Sequence, residues 1–395
     1  MNGSPMNWKQ VLKSYDYLLA LVTIGIGIFS VVMVYASIHA AAIPASVTAD
    51  HYTLWERQRL FIISGSVLMI ALSLIDYHFI TRFYIYIYGL MIVLLVIVLL
   101  IGADDQTNVA RWLWIPFPVV GWLSMQPSEF AKIFMILSMA KFLDINRERF
   151  NKPLWLGLVL SAIALPVFLV VRQPSLSAAV VILSIAMVIL FVGGLYYRTI
   201  LAGLALLAPI VVMVWFDMQR AEPLFLRRFL GDFQWRRIEI FFDPTLCMDA
   251  FRQTQGSLYA IGTGGLTGRG FLNNPFVILG HNDFIFSVVA SQFGFVGAVL
   301  LLAGIAFIIV RCILIALRAV DLEGRLIAAG VAGMLIFETF FHVGVATNLL
   351  PNTGMPFPFL SYGGSMIWVH MIAMGVVLNV GLPRKPKSIF EDEET

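Results

Sequence analysis

Asp16-Tyr-Leu-Leu-Ala-Leu-Val-Thr-Ile-Gly-Ile-Gly-Ile-Phe-Ser-Val-Val-Met-Val-Tyr-Ala-Ser37 carries one charge, on its first residue, and is otherwise apolar or weakly polar. A bilayer hydrocarbon core about 30 Å thick needs about 20 such residues per helix. The run therefore reads as a membrane span. It follows Lys9 and Lys13 and precedes the small residues Ala40 to Ala42, the setting of a signal peptide. It is too long for an h-region, however, and more spans follow, so it is read as an uncleaved anchor.

Comparable runs recur along the chain. Of the 395 residues, 60% are apolar and 12% charged, with a mean hydropathy of +0.89, a balance no soluble domain shows. Helices are predicted near residues 16–37, 60–75, 83–101, 127–143, 154–171, 176–192, 199–216, 284–310, 325–349 and 365–382. The fold class is an all-α polytopic membrane protein of about ten transmembrane helices. With the N-terminus inside, the inner segments collect Lys9, Lys13, Arg82, Lys141, Arg147 and Arg325 among other cations. The short outer loops hold only Arg57, Arg59, Arg111 and Arg172, so the positive-inside rule selects this orientation. The expected organisation is a cytoplasmic N-terminus (1–15), a membrane domain (16–382) and an acidic, disordered cytoplasmic tail (383–395). Cys247 and Cys312 have no paired spacing and fall on opposite faces, so neither a disulfide nor a thiolate metal site is expected.

A large external loop, residues 217–283, separates the seventh and eighth helices and is rich in Arg and Gly. Its arginines, Arg220, Arg237, Arg252 and Arg269 among them, suit an anionic ligand or lipid headgroups. The strip Ala260-Ile-Gly-Thr-Gly-Gly-Leu-Thr-Gly-Arg-Gly270 can bring backbone N–H groups to a phosphate or act as a hinge. After it comes His281-Asn-Asp283-Phe-Ile-Phe286. A carboxylate at the membrane boundary calls for a cavity or a use, and Asp also suits a helix N-cap.

Arg111-Trp112 precedes Gln126-Pro-Ser-Glu129-Phe-Ala-Lys132, which opens the fourth helix. Glu129 and Lys132, three apart, share a face and should point inward and pair. They either brace the bundle or line an outward-open cavity. Glu338 and His342 form another buried polar face, read as interhelical hydrogen bonding. The ninth helix also carries small residues, Ala328, Ala329, Ala332 and Gly333. Such a stripe is either an internal seam or a docking face for a partner's membrane helix.

Between the ninth and tenth helices lies Leu350-Pro-Asn-Thr-Gly-Met-Pro-Phe-Pro-Phe-Leu-Ser-Tyr-Gly-Gly-Ser365, a segment too rich in Pro and Gly for a random linker and read as a shaped re-entrant loop. From Thr353 onward it closely resembles the signature of the SEDS proteins (shape, elongation, division and sporulation), the RodA, FtsW and SpoVE group. That family also carries the Arg-Trp pair, the Gln-Pro-Ser-Glu-Phe-x-Lys string, the Ala-Ile-Gly-x-Gly-Gly stretch and the His-x-Asp-Phe-Ile-Phe block, in this order.

The resemblance implies a peptidoglycan glycan-strand polymerase that joins lipid II units at the outer face of the bacterial cytoplasmic membrane, beside a class B penicillin-binding transpeptidase and with no nucleic-acid partner. Carried over by motif, Asp283 matches the essential aspartate, and Arg111, Trp112, Glu129 and Lys132 match central-cavity residues. His281 and Ser361, inside matching blocks, join them as substrate-binding candidates. Extending a glycan displaces pyrophosphate from an anomeric carbon by a sugar hydroxyl, which requires a base but no acid. Arg111, Lys132, Arg252 and Arg269, or a divalent cation such as Mg2+, would hold the pyrophosphate; no other cofactor is implied.

Three departures mark a divergent member. The family's Glu-Glu-Leu-Gly reads Ser291-Gln-Phe-Gly294, its Gln-Pro-Asp-Leu-Gly reads Gln173-Pro-Ser-Leu-Ser177, and its Gly-Tyr-Gln-x-x-Gln-Ser reads Phe251-Arg-Gln-Thr-Gln-Gly-Ser257. These bear on roles of the missing acids more than on Asp283. A flippase for the lipid-linked precursor and a non-catalytic scaffold for a transpeptidase are the alternative functions. Retention of Asp283 and the lack of internal repeats count against them. The topology is tested with reporters: fusions after Asp217 or Leu350 should read external and fusions after Leu143 cytoplasmic, and a cytoplasmic signal from the Asp217 fusion overturns the site assignment.

Overall fold

The computed structural model describes residues 13–39, 53–104, 110–117, 121–149, 151–173, 175–218, 237, 239–243, 248–273, 275 and 277–383. Lys9, Arg220, Cys247 and the acidic tail lie outside them. The helices are α1 (Tyr17–Ile38), α2 (Leu54–Leu74), α3 (Tyr77–Thr81), α4 (Tyr84–Ile101), α5 (Pro127–Ile145), α6 (Pro153–Arg172), α7 (Leu176–Val192), α8 (Tyr197–Met218), α9 (Met248–Gly264), α10 (Ile285–Arg318), α11 (Leu322–Ala346) and α12 (Gly364–Val380). Each predicted helix has a counterpart among them. Among the described residues α1, α2, α4, α6, α10 and α11 are long and apolar enough to cross a membrane, and α7 and α12 are shorter apolar helices.

The fold is helical, with two additions to the sequence reading. The segment assigned to a loop after residue 217 includes α9, and the stretch before α5 forms a small antiparallel sheet. Its strands are β1 (Ala103–Asp104), β2 (Ala110–Phe117) and β3 (Gly121–Met125), in the order β1-β2-β3. Trp114 pairs with Ser124 and Ile115 with Leu123. The aromatic and β-branched content of β2 suits a strand, but a hairpin this short gives little periodic signal.

Burial follows from each helix's place in the bundle. Peripheral α4 buries Met91, Leu95 and Val98, one stripe at i, i+4 and i+7, and α6 buries Val159, Ile163, Pro166 and Val170 at the same rhythm. The remaining apolar surface of both faces outward, as a lipid solvent permits. Central α12 is buried at nearly every position from Gly364 to Val380. The small-residue stripe of α11 is buried too, with Ala328 at 0% and Ala332 at 3% exposure, and a methyl group added at Gly333 would meet Val188 of α7 at 2.9 Å. That stripe is an internal seam, which removes the docking-face reading.

Away from β2 and β3, polar bonds tie the short connections together. Asp321 caps α11 by accepting from Gly324 N at 2.7 Å and also accepts from Tyr77 Oη. His78 bridges Asp76 (2.8 Å) and Asp321 (2.7 Å). Burial pulls this imidazole down, but the Asp321 and Asp76 hydrogen bonds and the Glu323 charge outweigh it and leave it pushed up to about 9. Lys141 donates to Glu323 at 2.6 Å, which also accepts from Thr81.

The glycine strip braces a break in α10. At Gly294 the helix takes φ 65° and ψ −164°, a region open essentially to glycine alone. The main chain after α9 fills the gap: Arg269 N donates to Ser291 O (2.9 Å), Gly270 N to Gln292 O (3.1 Å), Phe295 N to Gly265 O (2.9 Å) and Val296 N to Leu266 O (3.1 Å). The N–H groups of residues 269 and 270 are thus occupied by helix carbonyls, so the strip acts here as a splint instead of the phosphate cradle its sequence allows. A Cβ at Gly294 would overlap the main chain of Leu266 and Gly268. Gly294→Ala should therefore lower stability by about 1–3 kcal/mol or more, read as a lower thermal midpoint of the purified protein; an unchanged midpoint contradicts the splint.

Candidate active site

A cavity of about 330 Å³ opens among β2, β3, the start of α5, the start of α7, the turn before α10 and the segment 354–366. Six of the sequence-predicted residues line it: Arg111, Trp112, Glu129, Lys132, His281 and Asp283. Residues distant in sequence meet here because the bundle places the starts of α5, α7 and α10 beside one re-entrant loop. The hairpin brings Arg111, Trp112, Trp114 and Ser124 to the same opening, and its junction with α5 is tied to α12 by Gln126 N donating to Ser365 Oγ at 3.0 Å.

Asp283 is 8% exposed. It does not cap α10: the N-cap is Phe284, with no side-chain cap bond. Its carboxylate faces the charges of Arg237 and Arg111. Burial pushes its pKa up and the two guanidiniums pull it down, with burial prevailing. A carboxylate so placed binds a proton more readily than an exposed one, which is what a general base needs.

The loop between α11 and α12 holds this geometry. Ser361 Oγ donates to Asn282 O (2.7 Å) and accepts from Phe357 N (2.8 Å), and Tyr362 N donates to His281 O (2.8 Å). Buried Gln58 of α2 donates to Ser361 O (3.1 Å) and to Ser30 Oγ of α1 (2.6 Å). On the other flank Arg237 Nη1 donates to Asn352 O (3.2 Å), while Asn352 Nδ2 donates to Gln253 Oε1 of α9 (3.2 Å). Ser361 is therefore a tether of the Asp283 turn, bonded on both sides and not part of the lining.

At the inner end of the cavity Lys132 donates to Glu129 Oε2 (2.7 Å) and to Glu338 Oε1 of α11 (2.6 Å). The pair expected within α5 exists, with a second carboxylate added. Glu338 Oε2 lies 2.6 Å from His370 Nε2 of α12. His342, predicted beside Glu338, turns away and donates from Nδ1 to Met355 O at 2.8 Å.

Arg252 and Arg269, the loop cations favoured from sequence, are exposed and outside the lining. Arg237 lies in the lining instead. It was one of several loop arginines without a local motif, and only the folded chain brings it to Asp283. The cavity's carboxylates are Asp283, set against two guanidiniums, and Glu129, bonded to Lys132. Among the described residues no group of three His, Cys, Asp or Glu could cage a metal ion. This donor set suits an anion.

The family model FTSW_RODA_SPOVE, described as cell cycle protein, matches residues 16–385. Peptidoglycan glycosyltransferase MrdB of Escherichia coli K12 is 32% identical over 355 residues, 88% of this chain and 91% of that protein. Stage V sporulation protein E of Bacillus subtilis is 33% identical over 386 residues, 93% of this chain and 97% of that protein. Among solved structures, a chain of a peptidoglycan synthase complex that coordinates polymerisation and crosslinking superposes with a TM-score of 0.74 at 30% identity, covering 93% of this chain and 97% of that one. The rod shape determining protein RodA of Thermus thermophilus gives 0.64 at 28% identity, covering 93% and 96%.

Gly354 gives the geometry a direct test. It sits at φ +68°, and a Cβ there would lie 3.3 Å from both Arg237 Nη1 and Asp283 Oδ2. Gly354→Ala should wedge the two apart and reduce glycan synthesis by roughly 10- to 100-fold, with about 1–2 kcal/mol of backbone strain. Wild-type rates from purified Gly354→Ala would show that the spacing does not matter.

Proposed function

We propose how the residues above do the work of the FTSW_RODA_SPOVE cell cycle proteins, the family to which this chain belongs. The chain is a multi-pass bacterial membrane protein and a peptidoglycan glycosyltransferase that polymerises glycan strands for the cell wall. Its substrate on this reading is lipid II, presented at the outer face, with both termini of the chain cytoplasmic. The observation that carries the reading is a buried carboxylate facing two guanidiniums in one cavity, a base beside anion-holding groups.

In the reaction the acceptor sugar's 4-hydroxyl oxygen attacks the donor's anomeric carbon as the bond from that carbon to the pyrophosphate oxygen breaks. Asp283 takes the hydroxyl proton, and the bonding electron pair leaves with the pyrophosphate. A pyrophosphate leaving group needs charge stabilisation and no proton, which Arg111, Arg237 and Lys132 supply from fixed positions. Trp112, Trp114 and Tyr362 offer ring faces for sugars and His281 a further polar contact. Among the described residues no segment forms a second catalytic domain for crosslinking. We assign that step to a class B penicillin-binding transpeptidase, in keeping with the synthase complex that holds the similar chain.

Asp283→Asn should keep the fold and abolish polymerisation of purified lipid II, since Asn fills the same space but accepts no proton. The raised pKa of Asp283 puts the acid limb of the wild-type rate above the ordinary carboxylate range, and the rate falls as pH drops through it. Arg237→Gln removes an opposing charge and should move that limb to still higher pH. Near-normal polymerisation by Asp283→Asn, or an acid limb moved downward in Arg237→Gln, contradicts the assignment of the base.

A further inference from the structure

Behind the cavity lies a chain of four buried ionisable groups of which the mechanism uses only the first part. Glu338 and His370 are each 0% exposed and Lys132 is 1% exposed. His370 Nδ1 lies 2.7 Å from Met366 O, and a carbonyl only accepts, so Nδ1 carries a proton. The 2.6 Å contact between His370 Nε2 and Glu338 Oε2 then needs one more proton between them, since two acceptors would repel. With that proton the Glu338–His370 unit is neutral overall, and Glu129 balances Lys132. The cluster is therefore neutral as two neutral pairs, as a low-dielectric site demands.

We propose that Glu338 and His370 are positioning residues that hold the Lys132 ammonium at its place in the cavity, where it meets the pyrophosphate. This rests on the glycan-polymerase reading. Lys132 reaches the cavity on a flexible four-carbon stem. Glu129 on the same helix anchors it from one side, three residues away. Glu338 anchors it from α11 on the other side and is itself oriented by His370 from α12. Two of the three ammonium N–H groups are thereby directed to carboxylates, which leaves one for an anion. The imidazole fixes the second carboxylate through one oxygen while Lys132 takes the other.

The test is steady-state polymerisation of lipid II by the full-length chain in detergent, normalised to folded protein by thermal midpoint and size-exclusion profile. The variant is Glu338→Gln with His370→Gln, which removes both groups together and leaves the Glu129–Lys132 pair neutral. The expected result is kcat lower by roughly 10- to 100-fold, with KM within about twofold and the thermal midpoint near wild type. A purely structural role would lower the midpoint and leave kcat per folded molecule unchanged, and that outcome overturns the proposal. If the double variant fails to fold, His370→Gln alone is measured with the same readout, because Glu338 can take up the shared proton and stay neutral; wild-type kcat there overturns the proposal too. A wild-type chain that makes no polymer defeats the polymerase reading and this inference with it, whereas active wild type with an unimpaired variant defeats the inference alone.

Discussion

An ammonium with almost no exposure to solvent, held between two carboxylates, sets the terms for the rest of the bundle. Removing Lys132 alone would strand Glu129 as a buried, unpaired carboxylate at about 3–5 kcal/mol. Lys132 and Glu129 lie on α5, Glu338 on α11 and His370 on α12, so α5 must meet the consecutive helices α11 and α12, far along the chain, at one point. Their relative rotation is fixed by charge balance as well as by packing. In an apolar solvent that adds little drive for helix association, such polar contacts and close-fitting small residues carry the specificity. The α11 seam against α7 supplies the second of these along the same helix.

The re-entrant loop transmits that arrangement to the site. It begins where α11 ends and stops where α12 starts, so the two helices of the charge cluster fix its ends. Its interior is then pinned by Gln58 and Ser30 from one side and by Gln253 and Arg237 from the other. Ser361 and Tyr362 in turn grip the backbone of the turn that carries Asp283. Asp283 is held by main-chain bonds to this loop, which leaves its carboxylate available to face the two guanidiniums. The break in α10 serves the same end, because the splint from α9 steadies the helix that begins just after Asp283.

The apolar runs fixed by bilayer thickness made the helical fold legible, and each predicted helix has its counterpart with ends displaced by up to eight residues. Motif reading also placed Asp283, Arg111, Trp112, Glu129, Lys132 and His281, six residues from three separate segments, which one cavity does bring together. The Glu129–Lys132 pair was readable because helical spacing alone puts the two on one face.

What only the tertiary structure decided are the relations that cross between segments. Arg237 and not Arg252 or Arg269 enters the cavity, since a loop arginine's reach depends on how the loop folds back, for which no local pattern exists. Asp283 is a buried carboxylate and not a helix cap, because the helix starts at Ile285, one residue later than a cap at Asp283 would require. The glycine strip is a splint, because its N–H groups find carbonyls of a helix broken at Gly294. Glu338 finds Lys132 and His370 across 206 and 32 residues of sequence, contacts that hydropathy cannot encode. Sequence by itself determined which segments form apolar helices, since that depends on each segment's own composition, whereas the site arises from pairings among segments, which only their packing selects.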